Sequence, residues 1–137
     1  MNEKPIGEAL ILCDQIITEA QTNKKSLIGI FNFIAGPQFP LQHSFSIFCV
    51  MSNGRGEMTV ELRCVRMEDS YEVGKITAPV VLPDPNTVLE LDLRFENIPF
   101  ERPGLHTFEL HCEGELVMEK RFNVLFRPPP PPKTSRQ

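Results

Sequence analysis

Met58-Thr59-Val60-Glu61-Leu62-Arg63-Cys64 alternates apolar and polar side chains at every step. Successive side chains of a strand point to opposite faces. The run therefore presents Met58, Val60, Leu62 and Cys64 to a core, and Thr59, Glu61 and Arg63 to water. Val88 to Phe95 repeats the pattern, with Leu89, Leu91, Leu93 and Phe95 inward and Glu90, Asp92 and Arg94 outward. About eight such short runs, broken by Gly, Pro, Asn and Asp clusters, fill the chain from Ala9 to Phe126. This spacing predicts an all-β fold. The expected architecture is an antiparallel, two-sheet, immunoglobulin-like sandwich of seven to nine strands, with no helix longer than about two turns.

Working outward from that stretch, Ser52-Asn53-Gly54-Arg55-Gly56 reads as a hairpin turn because of its Asn-Gly pair. Phe45 to Met51 is apolar on both faces except at Ser46 and reads as a central strand. Ala9 to Ile17 is the first strand; a helix over Glu8 to Ala20 is the rival, disfavoured by the β-branched Ile11, Ile16 and Ile17. Leu27 to Ile34 is a second strand, with Gly29 marking a bulge or a close backbone approach. Tyr71 to Ile76 reads as a short edge strand, and Ala78 to Asn86, with Pro79, Pro83 and Pro85, as a connection between sheets. Glu113-Gly114 forms a tight hairpin. In the last strand, Leu116, Met118, Phe122, Val124 and Phe126 are the inward set, with a bulge near Glu119-Lys120-Arg121. Phe45, Ile47, Leu62, Leu91, Leu93, Phe108, Leu110 and Phe122 are expected in the core.

The chain has 137 residues, enough for one core that needs no disulfide or metal to stand. The reading is a single domain over residues 1–126 and a proline-rich disordered tail over 127–137. Of the 14 bases, Arg127, Lys133 and Arg136 lie beyond Phe126, which leaves 11 bases against 18 acids in the body. Such a body argues against nucleic acid and anionic membrane as partners, since both need clustered Lys and Arg. No export signal or membrane-length apolar run is visible, and the location expected is cytoplasmic. Cys13, Cys49, Cys64 and Cys112 lie inside strand patterns and never in C-x-x-C. They read as free buried thiols, with a Cys49–Cys112 bridge between sheets as the sharper alternative.

No catalytic or metal motif stands out, and no cofactor is expected. His106, in Pro103-Gly104-Leu105-His106-Thr107-Phe108, occupies the place of the corner tyrosine of many sandwiches. It reads as a structural corner whose ring bonds a backbone group around Ile98 to Arg102. His111 has the opposite strand parity and should face solvent. Asp84, between two prolines, could cap a turn. Asp14 shares a face with Leu10 and Leu12; it reads as a turn residue, with a ligand-anchoring role as the lesser reading. An enzyme would need Asp14, a histidine and another acid to converge in one cleft. In the tail, Pro128, Pro131 and Lys133 formally fit a proline-groove ligand, against the plainer reading of a stiff extension.

The run Leu10-Ile11-Leu12-Cys13-Asp14, a polar turn, and Ser26-Leu27-Ile28-Gly29-Ile30-Phe31-Asn32 resembles a family of short bacterial proteins of unknown function. Its members show an L-x-C-D start followed by L-x-G-[IV]-F-[DN]. The Gly54-Arg55-Gly56 turn and the Pro103-Gly104 corner extend the resemblance over roughly residues 8 to 126. It implies a bacterial cytoplasmic origin and an immunoglobulin-like sandwich. It brings no activity, cofactor or catalytic residue. The functional expectation is a non-enzymatic protein-interaction module, with another protein or a second copy as partner. The alternative is a sandwich that holds a sugar, lipid or metal ion at its loop end. Mass measurement after alkylation without reductant is expected to show four reduced cysteines; a Cys49–Cys112 bridge would overturn the assignment to a reducing compartment.

Overall fold

The computed structural model describes residues 2–132. Those residues form nine strands and no helix: β1 (Ile6–Thr18), β2 (Lys25–Ile30), β3 (Phe33–Gly36), β4 (Leu41–Ser52), β5 (Gly56–Arg66), β6 (Tyr71–Leu82), β7 (Leu89–Phe100), β8 (Gly104–Cys112) and β9 (Glu115–Phe126). They make a four-stranded sheet in the order β2-β1-β4-β7 and a five-stranded sheet in the order β3-β9-β8-β5-β6. The four-stranded sheet curls into a half-barrel.

The core lies where the two sheets face each other. Phe45, Ile47, Leu62, Phe108 and Leu110 are fully buried, and Leu93 and Phe122 nearly so. Leu91 packs against the core from its rim, only partly buried. Aromatic rings tie the layers together. Phe108 of β8 lies 5.7 Å from Phe45 of β4 and from Phe95 of β7, and stacks at 4.9 Å on Phe122 of β9. Such pairs add to the burial of their large apolar surfaces.

Several local expectations are corrected. Leu27 to Ile34 is not one strand. It divides at Phe31-Asn32, so that β2 closes one sheet and β3 opens the other. Because β3 arrives by crossing between sheets and not by a hairpin, nothing reverses it against its neighbour. It pairs with β9 in parallel, from Phe33↔Asn123 to Gly36↔Phe126, the exception in an otherwise antiparallel structure. Gly29 has φ 71°, and a Cβ there would overlap the Asp14 carboxylate, so the close approach is real.

Asn53-Gly54 does not join a hairpin. Asn53 takes φ 59°, but β4 and β5 lie in different sheets. The turn is held by Asn53 N–H donating to Pro85 O at 3.1 Å and by reciprocal bonds between Glu3 and Arg55. A tolerance for positive φ marks a sharp turn; it does not choose the strand partner. Glu113-Gly114, with φ 50° and 82°, does make the tight hairpin, closing Cys112 onto Glu115.

β6 runs on through Pro79 to Leu82. As the outermost strand of its sheet it can lose a backbone donor. The crossing starts later than expected, where Asn86 N–H donates to Asp84 Oδ1 at 2.8 Å. In β9 the extra residue is Val117, since Leu110 pairs with Met118 and His111 with Leu116. Pairing through Lys120 is regular, so Lys120 keeps the core-side parity and is half-buried. The bulge turns Leu116 outward, to 45% exposure. Phe126 is 59% exposed because it lies past the core, opposite Gly36. Phe45→Ala should therefore cost about 3–5 kcal/mol in urea unfolding, whereas Phe126→Ala should change stability by only about 0.5 kcal/mol or less.

Candidate functional site

The surface of the described residues carries two charged clefts, and the two sheets end in the edge strands β2, β7, β3 and β6. The first cleft, about 570 Å³, lies on the five-stranded sheet and is lined by Thr59, Glu61, Arg63, His111, Glu113 and Gly114. Arg63 is in its wall and meets acids from both sides because β5 runs between β6 and β8. Its Nε is 2.9 Å from Glu72 and 3.9 Å from Glu61, and its Nη1 is 3.7 Å from Glu109. His111 is half-buried rather than fully exposed, with Nε2 3.1 Å from Glu109. Arg63 pairs across strands with Glu72 and Glu109, while Arg63–Glu61 and His111–Glu109 are same-strand neighbours; on a wetted face each is worth little.

The second cleft, about 540 Å³, is lined by Asp14, Gln15, Ile16, Ser46, Asp92 and Arg94. It opens where the β1–β4 pairing ends, at Cys13↔Ser46. Arg94 of β7 bridges the gap: Nη1 donates to Asp14 O at 2.9 Å and to Ser46 Oγ at 3.1 Å, and Nε to Glu96 at 3.0 Å. Asp14 and Asp92 thus share a cleft with an arginine, and no histidine lines it. His43 packs instead against the rings of Phe31 and Phe45, at 6.0 and 5.7 Å.

His106 is fully buried, edge-on to Phe100 at 5.2 Å and 5.5 Å from Phe122. Its Nδ1 lies 3.0 Å from Gly104 O, so the acceptor is two residues back and not in the expected Ile98–Arg102 stretch. Nε2 meets no donor in the protein. Beside it on β5, Arg66 pairs in register with His106 and is itself buried. Arg66 grips Asp69 through two bonds of 2.9 and 2.8 Å, and Arg102 adds a third at 3.0 Å. The Arg66 hydrogen bonds hold the Asp69 carboxyl at about 2. The cluster clamps two loops over the end of the core, and Met67 N–H donating to Leu105 O at 3.0 Å closes it. Sequence reading missed Arg66, although it extends the even-numbered inward set that ends at Cys64.

All four thiols are free and buried. Burial pushes Cys49 up to about 12 and Cys64 higher still. Cys112 reaches Met58 Sδ at 3.5 Å and not Cys49. In the tail, Arg127 still belongs to the sheet: its N–H donates to Gly36 O at 2.9 Å, and its guanidinium lies 5.7 Å from the Phe33 ring. Pro128 and Pro131 follow, exposed and outside any strand. Lys133 lies outside the described residues.

β2 is one of the four edge strands. Among the described residues it pairs only with β1, in a register from Cys13↔Ile30 to Thr18↔Lys25. Ile28 and Ile30, at 45% and 60% exposure, point from the outer face. The registers put Ile11 and Phe48 on that same face. Ser26-Leu27-Ile28-Gly29-Ile30 holds no charge and no proline, the usual edge guards, so nothing in that pattern marks it as an edge in the sequence.

Burial favours the neutral imidazole of His106, partly opposed by its bond to Gly104. Its folded-state pKa lies below the ordinary value of about 6.5, so the unfolded chain takes up the proton first. Stability should be full above that value and fall as pH drops below it. His43, lowered by burial in the same direction, deepens the fall. Urea midpoints measured between neutral pH and about pH 5 should decline, and His106→Phe should flatten that decline.

Among proteins of known identity, the chain is 25% identical over 134 residues to a DNA topoisomerase 4 subunit from Rickettsia bellii and, equally, to its counterpart from Rickettsia conorii. In each case 82% of this chain matches 18% of the relative's length. A solved structure of the Pseudomonas fluorescens alkylpurine DNA glycosylase AlkC, bound to DNA containing an abasic site analog, is similar over 85% of this chain and 30% of that one. The TM-score is 0.47 and the identity 8%. A family model matches residues 8–125, from the first strand to the end of the last, and on that match the chain belongs to a family of unknown function, DUF6941.

Proposed function

We propose that this chain is a non-enzymatic protein-interaction module built on an immunoglobulin-like sandwich. The strand order supports the architecture: β1, β4 and β7 share one sheet, and β5, β8 and β9 share the other. That is the division of strands A, B and E from C, F and G in such domains. β2 is an added edge strand.

The observation that carries the functional reading is the β2 edge, uncharged and proline-free from Ser26 to Ile30, with Ile28 and Ile30 exposed on it. Unpaired strand edges bind other strands through their main chain, and exposed apolar side chains add affinity. The two clefts, walled by charge rather than by aromatic rings, fit poorly with the alternative of a sugar or lipid site, and among the described residues no three His, Cys, Asp or Glu side chains gather to hold a metal ion. The DNA topoisomerase matches raise DNA as a partner, but a body with 18 acids and 11 bases repels it. Buried free thiols suit a reducing bacterial cytoplasm.

Cross-linking in the source cell, read by mass spectrometry, should join β2 to protein, and Ile28→Asp with Ile30→Asp should abolish those links while the circular dichroism spectrum stays unchanged. A rise in melting temperature with a sugar, lipid or divalent cation, and no β2 cross-link, would overturn the reading in favour of the ligand-binding alternative.

A further inference from the structure

The chemistry of the β2 edge selects its own copy as partner. Phe31 N–H donates to Leu12 O at 3.0 Å. In an antiparallel pair every second residue exchanges its bonds with the neighbour. Lys25, Leu27, Gly29 and Phe31 therefore turn their backbone groups to β1, and Ser26, Ile28 and Ile30 turn theirs to the open side. Three donors and three acceptors face outward in a row of even-numbered residues. A two-fold axis beside Ile28 would pair Ile28 with itself and Ser26 with Ile30, engaging all six groups of each copy. No shift by one residue does so, because it would set free residues against bonded ones.

The charges fit the same register. The Asp14 carboxylate leans over Gly29, the one residue of β2 without a side chain to stop it. Among the described residues no hydrogen bond or ion pair holds that carboxylate. Lys25 lies on the same face, its Nζ donating to Thr18 Oγ1 at 2.8 Å. With Ile28 on the axis, Gly29 faces the partner's Leu27, and the partner's Lys25 becomes its diagonal neighbour. Diagonal positions lie about 7–8 Å apart, within reach of a long side chain. Asp14 of each copy then meets Lys25 of the other, twice by symmetry. β2 itself carries no acid, so no like charges are set opposite each other in this acidic chain.

We propose that this chain pairs as a two-fold dimer through antiparallel β2 edges, with Asp14 and Lys25 as the reciprocal charge pair that fixes the register. The proposal rests on the interaction reading above and names its partner as a second copy.

Sedimentation of the full chain over a range of concentrations tests it. Twice the chain mass is expected for the wild type. Ile28→Pro should be monomeric and folded, because the donor it removes faces the open side and not β1. Asp14→Lys and Lys25→Asp should each weaken the dimer about tenfold, and the double variant should restore it. Ile28→Cys should cross-link to itself under oxidation, since a directly opposed bonded pair has Cα atoms about 5.5 Å apart, within disulfide range. A wild-type monomer at every concentration, or a dimer untouched by Ile28→Pro, overturns the self-pairing. If β2 still cross-links to another protein in the cell, the interaction reading survives that result; if it cross-links to nothing, both fall.

Discussion

Phe108 is the residue on which the two sheets close. It comes from the middle of β8, touches Phe45 and Phe95 across the core, and stacks on Phe122 of its own sheet. Around this contact the inward sets of β4, β5, β7, β8 and β9 are mostly apolar, with His106, Arg66 and the half-buried Lys120 as the polar members on the core side. The apolar surface buried there is the main force holding the domain together. Its geometry sets what remains at the periphery. The aromatic layer continues through Phe100 to His106, so the corner histidine is sealed at one end of the core. Arg66 is drawn in beside it and must be neutralised by Asp69. At the other side the first strands outrun the core, and β2 is left hanging from β1 with its outer edge unmatched.

What could be read in the sequence followed from strand periodicity. Met58 to Cys64 and Leu89 to Phe95 alternate because each has one dry face and one wet face, and both are strands with those faces. Seven of the eight core residues expected are buried, and Leu91 sits at the rim. Other features depend on pairing, which no local pattern encodes. Asn53-Gly54 announces a turn but not that its flanking strands part to different sheets. Leu116 fits an inward parity until the extra residue Val117 reverses it. Gly29 marks a close approach, yet only the structure shows that the approaching group is Asp14.

The candidate site was legible in pieces. His106 was found from its place after Pro103-Gly104, though its acceptor is Gly104 itself. Arg66 was missed because a charge in an inward position reads as the end of a strand. The β2 edge was missed because Leu27 to Ile34 looked like one continuous strand, and a continuous strand in mid-sequence gives no sign of lying at an edge. The polyproline tail draws attention for its composition, yet among its described residues Arg127 alone is tied into the sheet by a backbone bond.

Amide hydrogen exchange along β2, followed as the chain is concentrated, tests the central claim most directly. Leu27, Gly29 and Phe31 already donate toward β1 and should exchange slowly at every concentration. Ser26, Ile28 and Ile30 should exchange fast when the chain is dilute and become protected as it is concentrated, in an alternating pattern that only a new strand on this edge produces. Fast exchange at those three amides at all concentrations, or protection that rises elsewhere and leaves them unchanged, would contradict the account.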